Sequence, residues 1–261
     1  MELALSWISC AGICRLRVLN TKNMSGETGR QIDAMKVLQL LNGLRFIDSF
    51  FPSGGFAFSS GLEAAVQGGV VGNAASYQEF VTDQLCFGLG TREAVAIGLT
   101  WDRAQQGVML PVVEVDRQVE AMQLSEASRK ASRQMGRQVL RVAAEQFQSL
   151  LLDDYRASVE SGVAPGHLPI TMGLTLWTAG WGKQAAIAGF LYQALVGYNA
   201  AAMKLLPIGQ RESQRLLHEW LPQVTGIAAA AAGETRLSSW TPVHDVCAMR
   251  HSRLESRLFR S

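Results

Sequence analysis

The sequence predicts an all-α protein: a single compact domain of about nine or ten helices behind a disordered N-terminal extension. Three observations predict it. Apolar residues recur at helical spacing along most of the chain, and no stretch shows sustained period-two alternation bounded by turns. Glycine and proline fall between these amphipathic runs, where helices end. The third is an uncharged stretch, residues 184–203, between Lys183 and Lys204. As a helix it is roughly 30 Å long, enough to cross a domain or a bilayer. It contains Gln184, Gln193 and Asn199, and much of the rest is alanine and glycine. Alanine gains little on transfer to lipid, and a polar amide there must find a partner. Alanine and glycine instead suit helices that approach closely, so a packed helix is expected, not a membrane span.

The elements follow in order. Residues 3–14 are apolar, but no basic residue precedes them, so a secretory signal is not expected. Residues 20–30 (NTKNMSGETGR) form a polar link. Residues 1–30 are therefore assigned to the extension and 31–261 to the folded domain. Asp33 has a side chain suited to an N-cap, and Val37, Leu38, Leu41 and Leu44 follow on one face. Pro52, Gly54 and Gly55 end that helix. Residues 51–63 (FPSGGFAFSSGLE) lead into a short helix closed by Gly68, Gly69 and Gly72. Ser76 is expected to cap the next helix, with Glu79 completing a capping box.

Residues 77–89 and 92–104 form two apolar-faced segments around Gly90 and Thr91. Pro111 suits the first turn of a helix that ends near Leu124. One longer helix is expected over 128–152, where Arg129, Arg133, Arg137 and Arg141 recur as a basic stripe. Gly162, Pro165, Gly166 and Pro169 mark a loop. Two helices then occupy 168–210, split around 180–182. Residues 211–221 are amphipathic, Pro222 kinks or restarts the helix, and 226–232 continue it. Pro242 opens a last amphipathic segment that runs to the C-terminus.

Hydrophobic residues make up 48% of the chain and charged residues 18%, the balance of a folded protein. A formal net charge of +2 gives no reason to expect nucleic acid. Cys10, Cys14, Cys86 and Cys247 are too scattered for a disulfide framework and suit thiols in a reducing compartment, consistent with a cytoplasmic protein. Residues 180–183 (GWGK) lack the spacing and hydroxyl residue of a phosphate loop, and Gly54, Gly55 and Gly61 follow no strand. No nucleophile motif is present. Neither a nucleotide site nor a catalytic role is expected.

His244, Cys247 and His251 stand at i, i+3 and i+7, so one helical face could offer imidazole and thiolate to nickel or zinc. Such spacing arises often by chance, so a turn histidine, a core thiol and a surface or interface histidine are the preferred reading. The arginine stripe is expected to be a solvated face, with Glu126 and Glu145 placed to pair with Lys130 and Arg141. The tail, residues 249–261 (MRHSRLESRLFRS), is less ordinary. It sets Arg250, Arg253, Arg257 and Arg260 against one acid, Glu255, and adds Leu254, Leu258 and Phe259. Arginine with an aromatic and leucines is the composition of an interface, and packing of Phe259 on its own domain fits the composition equally.

Four stretches together resemble the urease accessory protein F (UreF) family: 51–63, 128–138 (SRKASRQMGRQ), 201–210 (AMKLLPIGQ preceded by Ala201) with 214–217, and the tail. Their order and spacing fit over residues 37–261; the chain departs from the family pattern at Arg211–Ser213. The resemblance implies an all-helical homodimer with no catalytic site and no tightly bound cofactor. It implies a complex with accessory protein D (also called H) and the GTPase accessory protein G that delivers nickel to apo-urease, without nucleic acid or membrane. It assigns partner binding to Arg250, His251, Arg257, Leu258, Phe259, Arg260 and Ser261. It assigns the gating of GTP hydrolysis to Glu63 and Lys204.

Overall fold

The computed structural model describes residues 37–260, and these form helices with no strand among them. Residues 1–36, which include the N-terminal extension and the Asp33 cap, lie outside the described residues. The chain runs through α1 (Val37–Ile47), α2 (Leu62–Gln67), α3 (Ala74–Gln84), α4 (Glu93–Gln106), α5 (Leu110–Met122) and α6 (Glu126–Phe147). It continues through α7 (Leu150–Glu160), α8 (Leu168–Thr178), α9 (Lys183–Leu205), α10 (Gln210–Ala231) and α11 (Pro242–His251).

The centre of the domain is α8. Its residues from Pro169 to Leu176 are all buried, and α4, α6 and α9 pack around it. The uncharged stretch forms α9, which crosses the domain against α4, α8 and α10. It is not buried all round: Tyr192, Ala200 and Met203 lie on an exposed face. No helix among the described residues is long and apolar enough to cross a membrane. The amides that argued against lipid tie α9 to its neighbours. Gln193 donates to the Phe46 carbonyl at 3.0 Å; Asn199 accepts from the Tyr77 hydroxyl at 2.7 Å and donates to the Ser213 carbonyl at 3.0 Å.

The helix boundaries differ from expectation in three places. Asn73, not Ser76, caps α3; its side chain accepts from Ala75 and Ser76, and Ser76 returns the bond as the third helical residue. The helix expected over 128–152 ends at Phe147, because Gln148 takes a left-handed conformation (φ 47°) and the chain restarts as α7. As expected, the helix continues past Pro222, which lies inside α10. The last helix stops at His251, and residues 252–260 leave it as an irregular tail.

Close packing of α6 on the loop before α8 requires glycine. A Cβ on Gly136 would stand 2.2 Å from the Gly166 carbonyl oxygen, a backbone atom that cannot swing away. A buried polar network holds the same crossing. Asp116 accepts from the backbone N–H of Gly166 (2.7 Å) and of His167 (3.1 Å) and from the Tyr155 hydroxyl (2.7 Å). The His167 ring bridges Ser132 Oγ (3.0 Å) and Glu120 (2.7 Å). Burial raises the Asp116 carboxyl above its usual range and lowers the His167 imidazole below its own.

Candidate functional site

Two stretches far apart in sequence build the site. One is the loop 51–63, which ends where Gly61 (φ 84°) turns the chain into α2. A Cβ there would lie 3.2 Å from the Ala248 backbone nitrogen, so glycine lets the start of α2 approach α11. That approach sets Glu63, in the first turn of α2, against the end of α11. The other stretch is the tail, which folds back over α2 after His251.

The Glu63 carboxylate is 2% exposed and accepts three hydrogen bonds. Leu258 N–H reaches Oε1 at 2.6 Å, Phe259 N–H reaches Oε2 at 3.1 Å, and His251 Nε2 lies 2.8 Å from Oε2. Burial alone would raise this carboxyl; the Leu258 N–H, the His251 ring and the Phe259 N–H outweigh it and hold Glu63 below the usual carboxylate range. An ionised carboxylate only accepts, so the His251 Nε2 carries the proton.

Further contacts seat the tail. Arg260 N–H donates to the Ala57 carbonyl at 2.7 Å, and Gln67 Nε2 donates to the Ser256 carbonyl at 3.2 Å. Lys204 Nζ stands 5.2 Å from the centre of the Phe259 ring, within cation–π range. Phe259 is buried in the core, whereas Leu258 is 64% exposed, and Arg257 and Arg260 are exposed beside it.

The structure therefore joins residues that the sequence assigns to separate roles. Glu63 and Lys204, expected to gate hydrolysis, both touch the tail expected to bind a partner, through His251, Leu258 and Phe259. Arg250 is exposed on α11, next to an outer face that carries Val243, Val246 and Met249. Ser261 lies outside the described residues. Sequence reasoning missed Ala57 and Gln67 as anchors. Ala57 acts through a carbonyl that any residue supplies, so no side-chain signal marks it.

The alternative metal face does not assemble. His244 stacks on Phe80 (ring centres 3.8 Å apart), and its Nε2 donates to the Phe80 carbonyl at 2.8 Å. Burial lowers its pKa to about 4 against the opposing pull of that hydrogen bond. Cys247 is buried, and burial pushes its thiol up, away from the thiolate a metal needs. His251 is engaged by Glu63. Among the described residues no group of three or more His, Cys, Asp or Glu is arranged to hold a metal. The shared helical face points into the core, where each of the three meets different neighbours.

The arginine stripe is partly consumed within the fold. Arg129 and Arg133 both reach Glu120 on α5, at 3.6 and 3.1 Å, and Lys130 pairs with Glu126 at 2.6 Å. Arg137 and Arg141 remain on the exposed side.

A family model described as UreF matches residues 71–221. The chain is 28% identical over 220 residues to the urease accessory protein UreF of Haemophilus influenzae (strain PittGG), covering 84% of this chain and 94% of that protein. It is 32% identical over 223 residues to the protein of the same name from Arthrobacter sp. (strain FB24), covering 82% and 93%. With that of Bacillus sp. (strain TB-90) the identity is 26% over 225 residues, covering 85% and 99%.

Proposed function

The chain belongs to the UreF family of urease accessory proteins, and on that premise we propose that it is a non-catalytic adaptor in urease maturation. With accessory proteins D (H) and G it promotes GTP-dependent insertion of nickel into apo-urease and modulates the GTPase. Nickel is cargo of the assembly, not a resident cofactor of this chain. The working location on this reading is the cytoplasm.

The observation that carries the reading is the docked tail. It presents Leu258 between Arg257 and Arg260, and α11, which leads into the tail, exposes Val243, Val246 and Met249 just after the 78% exposed Trp240. Aromatic, aliphatic and arginine side chains together make an interface composition. Homodimer formation is supported by Tyr192, Val196, Ala200 and Met203, which share one side of α9 and are exposed or half-buried. A dimeric scaffold holding two copies of each partner raises the effective concentration of GTPase and enzyme.

Deleting 257–261 is expected to abolish capture of accessory protein D while leaving the helical CD signal and the homodimer. Normal capture by the truncated chain would remove the tail from the partner surface.

A further inference from the structure

We propose that residues 3–14 dock lengthwise on the exposed apolar face of α1, as a cover that the chain supplies for itself. The proposal is independent of the urease reading, and it replaces the expectation of disorder for these residues only.

One side of α1 is held and the other is open. On the held side Trp181 Nε1 donates to the Gln39 carbonyl at 3.0 Å, and Gln193 donates to the Phe46 carbonyl at 3.0 Å. A Cβ on Gly43 would stand 2.0 Å from the Trp181 nitrogen, and Phe46 and Ile47 are buried. On the open side Val37, Leu38, Leu41 and Leu44 are between 43% and 71% exposed. Positions 37, 41 and 44 are i, i+4 and i+7, so three of the four make one stripe along the helix, with Leu38 beside it. No charged residue interrupts α1 before Arg45. An unbroken aliphatic stripe on a helix fixed from behind is a surface that another apolar element covers.

The occupant is found in the chain that leads into this helix. Residues 3–14 (LALSWISCAGIC) carry no charge. At helical spacing Leu3, Trp7, Cys10 and Cys14 share a face with Ala4, Ile8 and Ala11, while Ser6, Ser9 and Gly12 fall opposite. As a helix the segment measures about 18 Å and α1 about 16 Å, so the two stripes match in length. A helix this short is marginal alone in water and too short to span a bilayer, so it gains order only against another apolar surface. The link, residues 15–36, reaches up to about 70 Å when extended, several times the length of α1, and lets the segment fold back. Tethering presents it at an effective concentration on the order of millimolar. A separate molecule lacks that advantage, since four aliphatic side chains are far fewer than the roughly 20–30 residues a side of a stable interface.

Two measurements on the full chain test the docking. Leu41→Cys places a thiol in the stripe, within reach of a short bis-maleimide when Cys10 and Cys14 lie over it. In a mixture of isotope-labelled and unlabelled chains, peptide mass spectrometry is expected to find Cys10 or Cys14 linked to position 41 within one chain. Absence of that link overturns the proposal. Random pairing of labelled with unlabelled peptides, or links from position 41 to position 41, overturns it too and gives the face to a second copy. The other measurement is amide hydrogen exchange in the double variant Trp7→Ser, Ile8→Ser. Exchange over residues 41–45 is expected to quicken about fivefold or more, with the amides of α8 unchanged. Unchanged exchange across α1 overturns the docking. Equal acceleration in α8 overturns it as well, because residues 3–14 would then support the fold in general rather than cover α1.

Discussion

His244 makes the acid sensitivity of this fold calculable. The ring is 6% exposed, stacked on Phe80, and donates to a backbone carbonyl; burial holds its pKa at about 4, against an ordinary value of 6.5. In the unfolded chain the ring takes a proton as the pH falls through its ordinary value, whereas in the folded chain it stays neutral until much lower pH. The folded pKa is depressed, so the stability it protects is complete at neutral pH and is lost between roughly pH 6.5 and 4. At about 1.4 kcal/mol per pH unit the full loss is about 3 kcal/mol. The perturbation is His244→Gln, which keeps an N–H donor for the Phe80 carbonyl and does not titrate. It forfeits the ring stacking, about 1 kcal/mol, and so should be less stable near neutrality. Urea denaturation followed by helical CD, near neutral pH and at about pH 4.5, gives the comparison. The wild type should lose about 2–3 kcal/mol more than the variant over that interval, so that the gap closes or reverses. Parallel losses in the two proteins would refute the buried neutral histidine.

Three other outcomes are expected. Gly136→Ala puts a Cβ 2.2 Å from the Gly166 carbonyl oxygen, and the forced separation should cost about 1–3 kcal/mol; an unchanged thermal midpoint would contradict the close crossing. Asp116→Asn turns an acceptor of three hydrogen bonds into a group with N–H donors facing N–H donors, and should lose about 1–3 kcal/mol in urea unfolding; wild-type stability would remove the network from the support of α8. Phe259→Ala empties the seat beneath the tail, so trypsin should cut at Arg253, Arg257 and Arg260 several-fold faster while the thermal midpoint of the core shifts little; equal cleavage rates would show that Phe259 does not anchor the tail.

Periodicity revealed the helices but not their ends. The uncharged stretch announced a packed helix because its amides would be costly in lipid, and Gln193 and Asn199 do find partners across helix boundaries. The break at Gln148 carried no signal, because the residue in the left-handed turn is neither glycine nor asparagine. Ser76 misled because serine suits both the cap and the third helical position of a capping box, and only the geometry shows that Asn73 took the cap. At the site, Glu63, Lys204, His251 and Phe259 were named from sequence through the family resemblance, whereas the Gln67 side chain was missed. What sequence could not supply was the contact between residues nearly two hundred positions apart, from Glu63 to the tail. Two of its three bonds come from main-chain N–H groups, which leave no trace in residue type.

That main-chain origin also determines how the tail comes loose. An ionised, buried carboxylate is tolerable only while its donors are present, since each one lost leaves charge without compensation in a low-dielectric setting. Glu63 takes donors from Leu258 and Phe259 together, and the Phe259 ring shares the same segment. Pulling either residue away strips the carboxylate, unseats the ring from Lys204 and frees the Arg260 N–H at once. Partial release is therefore expected to be the least favourable arrangement, with the tail leaving its seat as a unit.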